Sequence, residues 1–377
     1  MPVISITGPR QSGKTTLAKQ CFPKYNYVNL ENPWQRELAE KDPLKFLGSF
    51  KHGIIIDEAQ HVPHLFSYIQ VLSDETKKNG QFILTGSQNF LLLEKISQSL
   101  AGRVGVYHLL PFGISELKGT KYESKKYEQY LFKGFYPRLH DQKIPANDFY
   151  SSYVNTYLER DARKIVNIKD LSAFQFFLKL CAGYAGQLVN TNAIAAAVGV
   201  DHKTIRQWLS VLETSFIVFF LQPHHKNFKK RLIHTPKLYF YDVGLASYLL
   251  GVTHASQISG HHLTGALFEN MIIADVMKNY LHQGKQPRLY FWRDSTGNEI
   301  DLLIEDGLTI KPVEIKSART LNGSFFKGMN YYNKLSKGKP KNSYLVYGGD
   351  TDRNYSDFNI LGWKDVDAVS SVSKKKR

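Results

Sequence analysis

Sulfur, long apolar runs and acidic charge are all scarce in this 377-residue chain. Its two cysteines, Cys21 and Cys181, lie far apart without metal-ligand spacing. That excludes a disulfide scaffold and a cysteine zinc site, and it fits a reducing cytoplasm. The longest apolar run, SFIVFFL at 215–221, is far too short to span a bilayer. The first residues lack the basic-then-apolar pattern of a signal peptide. The expectation is a soluble, cytoplasmic protein with no membrane partner. Acidic residues are outnumbered, 33 Asp and Glu against 49 Lys and Arg, leaving a formal charge of +16. Such an excess favours a polyanionic partner such as DNA, through counterion release at phosphates. It is equally the charge of a plain basic enzyme. At 42% hydrophobic residues the chain has enough apolar material for ordinary cores, and its length suggests two or three domains.

What is present begins almost at once. VISITGPRQSGKTTLAKQ reads as a strand, a loop and a helix. Gly8 and Gly13 bracket Pro9, Arg10, Gln11 and Ser12, and Lys14, Thr15 and Thr16 follow. This is the phosphate-loop pattern, whose glycines turn backbone N–H groups onto the phosphates of ATP. Lys14 is expected at the β and γ phosphates, and Thr15 on Mg²⁺. In HGIIIDEAQH a fully apolar strand ends in Asp57 and Glu58. Asp57 is placed for the Mg²⁺ shell and Glu58 to orient and deprotonate the attacking water. The competing reading is two surface carboxylates. A third strand, QFILTGSQNF, ends at Thr85, Ser87 and Asn89, either γ-phosphate sensors or plain turn formers. Arg103, after Ala-Gly, fits an arginine finger in cis or in trans, the latter needing a homo-oligomer. It fits a pairing arginine as well.

TGPRQSGKTTL, IIIDEAQ, ILTGSQNFLLL, SLAGRVGVYHLLPFGISEL and YVNTYLERDARKI together resemble a prokaryotic family of AAA-type P-loop ATPases with a C-terminal domain of uncharacterised function. The resemblance covers nearly the whole chain. It implies a doubly wound parallel-sheet ATPase core over residues 1–117, with Asp57 and Glu58 as the second nucleotide motif and Ser87 or Asn89 near the sensor position. Family members usually carry a helical segment before the first strand. This chain starts almost on the strand, which leaves part of an adenine pocket unaccounted for.

Residues 118–168 read as a helical connector, in which Arg160 or Arg163 is either a second sensor or part of a solvated face. Residues 169–240 have the grammar of a winged helix-turn-helix. Thr191 or Asn192 caps a short helix, Gly199 breaks it, and Asp201 caps a second helix. That second helix turns Ile205, Trp208, Leu209 and Leu212 inward and His202, Lys203, Arg206 and Gln207 outward. FIVFFL and KLYFYD are expected as the wing, with a basic segment between them.

Residues 241–369 are expected to form an α/β domain. Glu269 lies early on a helix, Asp301 on one strand, and Glu314 and Lys316 two apart on the next, so that the last two share a side. This acid, Glu-x-Lys order is that of the restriction-endonuclease-like fold, to which the family resemblance also points. Glu269, Asp301 and Glu314 would then hold Mg²⁺, and Lys316 would stabilise the phosphate or position water. An inactive DNA-binding relic and an unrelated strand pair remain open beside it. Residues 370–377 read as a basic tail. The combined expectation is an ATP- and Mg²⁺-dependent ATPase acting on DNA, with a candidate nuclease domain. The alternative is an ATP-controlled switch that binds protein or RNA, its C-terminal charges only bracing a fold.

Overall fold

The computed structural model describes residues 1–50, 52–86, 96, 99–157, 168, 170–224, 235–350, 353–355 and 357–370. Expectations for Ser87, Asn89, Arg160, Arg163, most of the basic segment before residue 235 and the tail from 371 lie outside the described residues. The chain divides into two compact units. The first is Met1–Pro111 with the short pieces Thr214–Phe216 and Leu281–Gly284, and the second is the remainder.

The first unit is built on five parallel strands, β1 (Val3–Thr7), β2 (Asn26–Asn29), β3 (Ile54–Asp57), β4 (Phe82–Thr85) and β5 (Val104–His108), in the order β2-β3-β4-β1-β5. Strand β3 shows why its sequence is continuously apolar. Ile54 and Ile56 enter one core with Val3, Phe66 and Leu84, while Ile55 enters the opposite one with Ile6, Ala18 and Ile83. A strand covered on both faces has no solvent side on which to place polar residues. Its first carboxylate therefore appears only where the strand ends.

The second unit carries an eight-stranded mixed sheet flanked by helices. Its strands are β6 (Val218–Pro223), β7 (Lys237–Phe240), β8 (Leu289–Arg293), β9 (Glu299–Asp306), β10 (Thr309–Lys316), β11 (Tyr344–Tyr347), β12 (Arg353–Tyr355) and β13 (Phe358–Gly362), in the order β12-β13-β11-β10-β9-β8-β6-β7. The helix pair Thr191–Val198 and His202–Thr214 forms with Gly199 in the left-handed region between them. The first helix is capped by Asn190, one residue earlier than expected, and Asp201 accepts from Lys203 and Thr204 N–H at 2.8 and 3.0 Å. Ile205, Trp208, Leu209 and Leu212 are buried, and His202, Lys203, Arg206 and Gln207 are exposed. The expected wing strands do pair with each other, but they are not confined to a separate module. Gln222 and Pro223 of β6 continue into parallel pairing with Tyr290 and Phe291 of β8. The boundary expected after residue 240 thus falls inside one compact unit.

Buried carboxylates tie the helices of this unit to its loops. Asp242 accepts from Phe135 N–H at 2.7 Å, Tyr150 hydroxyl at 2.6 Å and Leu245 N–H at 3.0 Å. Asp275, on the helix Thr264–His282, accepts from Ile114 N–H at 2.6 Å. Burial pushes the Asp275 carboxyl up from 3.8 to about 6, against the opposing pull of that N–H and of Lys278. A carboxyl raised in the folded state favours folding most below its unfolded value, and that advantage is lost as pH climbs from about 4 to about 6. Asp275→Asn does not titrate. Its stability relative to the parent should therefore rise between about pH 4 and 6, on the order of 3 kcal/mol, as read from denaturant midpoints.

Candidate functional site

Two clusters collect the chemistry-bearing residues, one in each unit. In the first, β1 ends at Thr7 and the chain turns through Gly8 at φ 145° and Gly13 at φ 95° into the helix Lys14–Cys21. A side chain at Gly8 would run into the Leu109 carbonyl. Gln11 at the loop's apex is also left-handed, and Arg10 beside it is half-buried. The Lys14 ammonium is folded back onto the loop, donating to the carbonyls of Gly8 at 3.0 Å and Pro9 at 2.7 Å. The Ser12 hydroxyl is buried with no hydrogen-bond partner among the described residues, and Thr16 is exposed on the first helical turn. A glycine-hinged cradle with a buried ammonium and an orphaned hydroxyl fits a bound phosphate chain.

Asp57 is the hub of this cluster. Its Oδ2 accepts from Thr15 Oγ1 at 2.8 Å and Tyr27 hydroxyl at 2.9 Å, and its Oδ1 accepts from Thr85 Oγ1. Burial, then the Asp57 charge, pushes the Tyr27 phenol well above its usual range, so it stays a donor. Glu58 sits at φ 53°, an uncommon conformation for a side-chain-bearing residue, and Gln60 Nε2 donates to its Oε2 at 2.5 Å. Thr15 and Asp57, the expected Mg²⁺ pair, thus meet, with Glu58 next in the chain. Tyr27 and Gln60 join them without any signal in the sequence.

Arg103 is elsewhere. Its carbonyl accepts from Val3 N–H at 3.1 Å, level with the start of β1, whereas the phosphate loop follows the strand's far end. Five strand residues at about 3.3 Å each separate the two ends. The Arg103 guanidinium instead grips Asp74 with two bonds, at 2.6 and 2.8 Å. A finger in cis is excluded by this placement. Arg103→Ala should leave turnover by a single subunit within about twofold in a steady-state assay, as expected for an exposed pair remote from the chemistry.

In the second unit, β9 and β10 pair antiparallel around Gly307 and Leu308, with Leu302 opposite Val313. This sets Asp301 beside Glu314. Asp301 Oδ2 accepts from Ile315 N–H at 2.8 Å, and Lys316 Nζ lies 3.5 Å from it and 2.7 Å from Glu314 Oε1. Glu269 faces the same cluster from its helix, receiving Tyr239 hydroxyl at 2.5 Å and Lys237 Nζ at 3.2 Å. Lys237 also pairs with Glu299, which reaches Arg293 at 3.4 Å. Burial, reinforced by the Asp301 charge, holds Glu314 well above the usual carboxylate range. Burial does the same to Glu269, where Lys237 opposes it. Burial tends to discharge Lys316, but Asp301 and Glu314 outweigh it and keep its ammonium charged.

The expected convergence of Glu269, Asp301, Glu314 and Lys316 therefore occurs, but the expected carboxylate cradle for a metal does not. Among the described residues no three acidic, imidazole or thiol groups are arranged to hold a metal ion. The physical reason is that ammonium groups already occupy the spaces between the carboxylates. Even so, among the described residues four acids share three cations, and Glu314 Oε2 is buried without a partner. Lys237 and Tyr239 are absent from the sequence reading of the cluster, though KLYF carries a signal. A lysine inside an apolar strand implies a buried counter-charge.

Comparisons with known proteins separate the two clusters. Residues 1–118 match the AAA domain, 124–256 a domain of unknown function (DUF8612) and 264–366 another (DUF4143). An uncharacterised protein of Mycobacterium tuberculosis is 29% identical over 331 residues, 87% of this chain and 73% of that one. One of Haemophilus influenzae is 24% identical over 280 residues, 65% of this chain and 68% of that one. Among solved structures, a RuvB variant of Thermotoga maritima overlaps 58% of this chain and 82% of its own at 18% identity and a TM-score of 0.26, too low to define a common fold. Together with the loop geometry, the domain match makes the N-terminal third an AAA-type P-loop ATPase domain. No helix among the described residues is long and apolar enough to cross a membrane.

Proposed function

From an AAA-type P-loop ATPase domain at residues 1–118, we propose that this chain hydrolyses ATP with Mg²⁺ and applies that hydrolysis to DNA. The observation that carries the ATPase reading is the 2.8 Å hydrogen bond from Thr15 to Asp57, which joins the phosphate loop to the acidic strand end. Lys14 exchanges the Gly8 and Pro9 carbonyls for β- and γ-phosphate oxygens. Thr15 and Asp57 would hold Mg²⁺, which would neutralise charge on the phosphates. Glu58, steadied by Gln60, orients the attacking water and takes its proton. DNA is favoured by the +16 charge and by the exposed Lys203 and Arg206 on the helix that Asp201 caps. Any finger role left to Arg103 is on the nucleotide of a neighbouring copy.

The test is ATP turnover with and without DNA. Turnover stimulated by DNA and lost in Lys14→Ala supports the reading, and turnover indifferent to DNA removes its DNA half.

The ammonium-carboxylate pairing at Glu269, Asp301 and Glu314 favours a second reading. In it the C-terminal cluster braces the fold, and ATP switches a module that binds protein or RNA. A strand-nicking assay in Mg²⁺ or Mn²⁺ separates the two. Nicking that disappears in Asp301→Asn makes the cluster a nuclease centre, while no nicking under either metal leaves it a brace.

A further inference from the structure

The sheet of the first unit ends in an open strand. β5 is its outermost member and pairs only with β1. We propose that this edge pairs antiparallel with the β5 edge of a second copy of the chain, about a two-fold axis at Val106, so that two sheets become one.

The backbone shows which groups are open. Val3 N–H donates to the Arg103 carbonyl, and Leu109 N–H to the Thr7 carbonyl. In a parallel pair such bonds recur at every second residue, so Gly105 and Tyr107 also turn their backbone groups to β1. Those of Val104, Val106 and His108 turn outward, and no described residue takes them. The next outward N–H, that of Leu110, donates to His282 Nε2 at 3.2 Å. The open stretch is thus Val104–His108, with Val106 at its middle.

The other sheet edges are guarded. On β7, Gly186 and Gln187 bond the backbone of Leu238, and Asn270 takes both the N–H and the carbonyl of Phe240. On β2, the Gln35 side chain accepts from Asn29 N–H at 2.8 Å. β12 is only three residues long and opens with Arg353. Capping groups, short strands and charges are the usual protection of an edge. β5 has none of them. Its sequence, VGVYH, carries no Lys, Arg, Asp or Glu, and burial pushes the His108 imidazole toward its neutral form. Val106 and Tyr107 are 37% and 47% exposed.

The strand is also complementary to itself, which a two-fold contact requires. Val106 meets the partner's Val106 as a hydrogen-bonded pair exchanging two bonds, and on either side Val104 and His108 exchange two more. Between them each Gly105 stands opposite the partner's Tyr107 on one face of the sheet. The Tyr107 ring already leans over Gly105 of its own strand, where an added Cβ would come within 3.2 Å of it. A glycine opposite each tyrosine leaves room for both rings, and an aromatic ring set across from a glycine is a favourable pairing. The same register sets Arg103 beside the partner's Leu109. The Leu109 carbonyl lies against Gly8 of the phosphate loop, so pairing brings each copy to the rim of the other's nucleotide site.

The experiment is sedimentation velocity on the full-length chain from about 1 to 100 µM, comparing the parent with Val106→Pro and Val106→Lys. The parent should form dimer as its concentration rises. Proline at 106 removes only an outward N–H that β1 does not use, and an edge strand tolerates it. It should weaken association at least about tenfold, because the two-fold axis loses the bond twice. Lysine sets two like charges directly opposite each other and should have a similar effect. Melting temperatures should match the parent, and if Val106→Pro melts lower, Val106→Lys decides. Cross-linking reads the register. In a Cys21→Ser background, Val106→Cys should give a disulfide-linked dimer on oxidation, since Cα atoms of a hydrogen-bonded antiparallel pair lie about 5.5 Å apart, within reach of a disulfide. Cys181 is buried, and Val71→Cys at another exposed position should not cross-link. A parent that stays monomeric at the highest concentration overturns the proposal and leaves the edge to a strand from another protein. A dimer that both variants at 106 leave intact overturns it too, as does cross-linking at 71 as readily as at 106.

Discussion

Glu58→Gln is expected to cut ATP turnover by about 10²–10⁴-fold while nucleotide affinity stays near that of the parent. The asymmetry follows from geometry. Affinity comes from the glycine-hinged loop, the Lys14 ammonium and the Thr15–Asp57 pair, none of which the substitution touches. Glutamine preserves the shape of Glu58 and a polar contact for Gln60 but cannot accept the proton of the attacking water. Steady-state turnover and equilibrium binding of a fluorescent ATP analogue, measured together, check it. A loss under tenfold would mean that another group takes the proton.

Lys237→Met is expected to cost the second unit about 3–5 kcal/mol, the usual effect of removing one partner from a buried ion pair. Lys237 is buried, with Glu269 at 3.2 Å and Glu299 on its other side. Methionine fills much the same volume and leaves Glu269 with the Tyr239 hydroxyl and no cation, while Glu299 keeps Arg293. Burial already holds Glu269 up to about 7 and losing Lys237 pushes it higher, so the deficit should shrink as pH falls through about 7. Combining it with Glu269→Gln should recover part of the loss, since it removes one uncompensated charge. Denaturant unfolding at several pH values reads all three effects. If the single variant loses less than about 1 kcal/mol, the cluster is better solvated than its burial implies.

How far the molecule is legible from its residues depends on how local each signal is. The phosphate loop is a contiguous pattern bound to one geometry, so Gly8 through Thr15 stand out in sequence and form a single turn from strand to helix. Asp57 stands out because a strand covered on both faces leaves no place for a carboxylate except at its end, where hydroxyl donors can satisfy it. Tyr27 does not, since its bond to Asp57 depends on the register of β2 against β3, which no local pattern records. Arg103 is ambiguous for a related reason. A residue at the start of a strand and one at its end look alike in sequence, yet in a parallel sheet they face opposite rims. The C-terminal acids are located by the two-residue spacing of Glu314 and Lys316, which strand geometry converts into shared orientation. Their lysine and tyrosine companions on β7 come from a stretch that reads as the wing of another module. Residues 237–240 join the sheet through β6, and only the fold shows that.

That joining decides where this chain can be cut. A fragment beginning at residue 241 looks natural from the sequence, since a helix opens there and the acidic cluster lies wholly beyond it. It would carry Glu269, Asp301, Glu314 and Lys316 but lack Lys237 and Tyr239. It would also leave β8 with a bare edge where Gln222 and Pro223 had been. An uncovered strand edge beside unpaired buried carboxylates favours aggregation over activity. Inactivity of such a piece would speak to its truncation and not to the chemistry of the intact protein. A fragment starting at Phe112 retains the whole sheet and is the smaller piece on which the cluster can be judged.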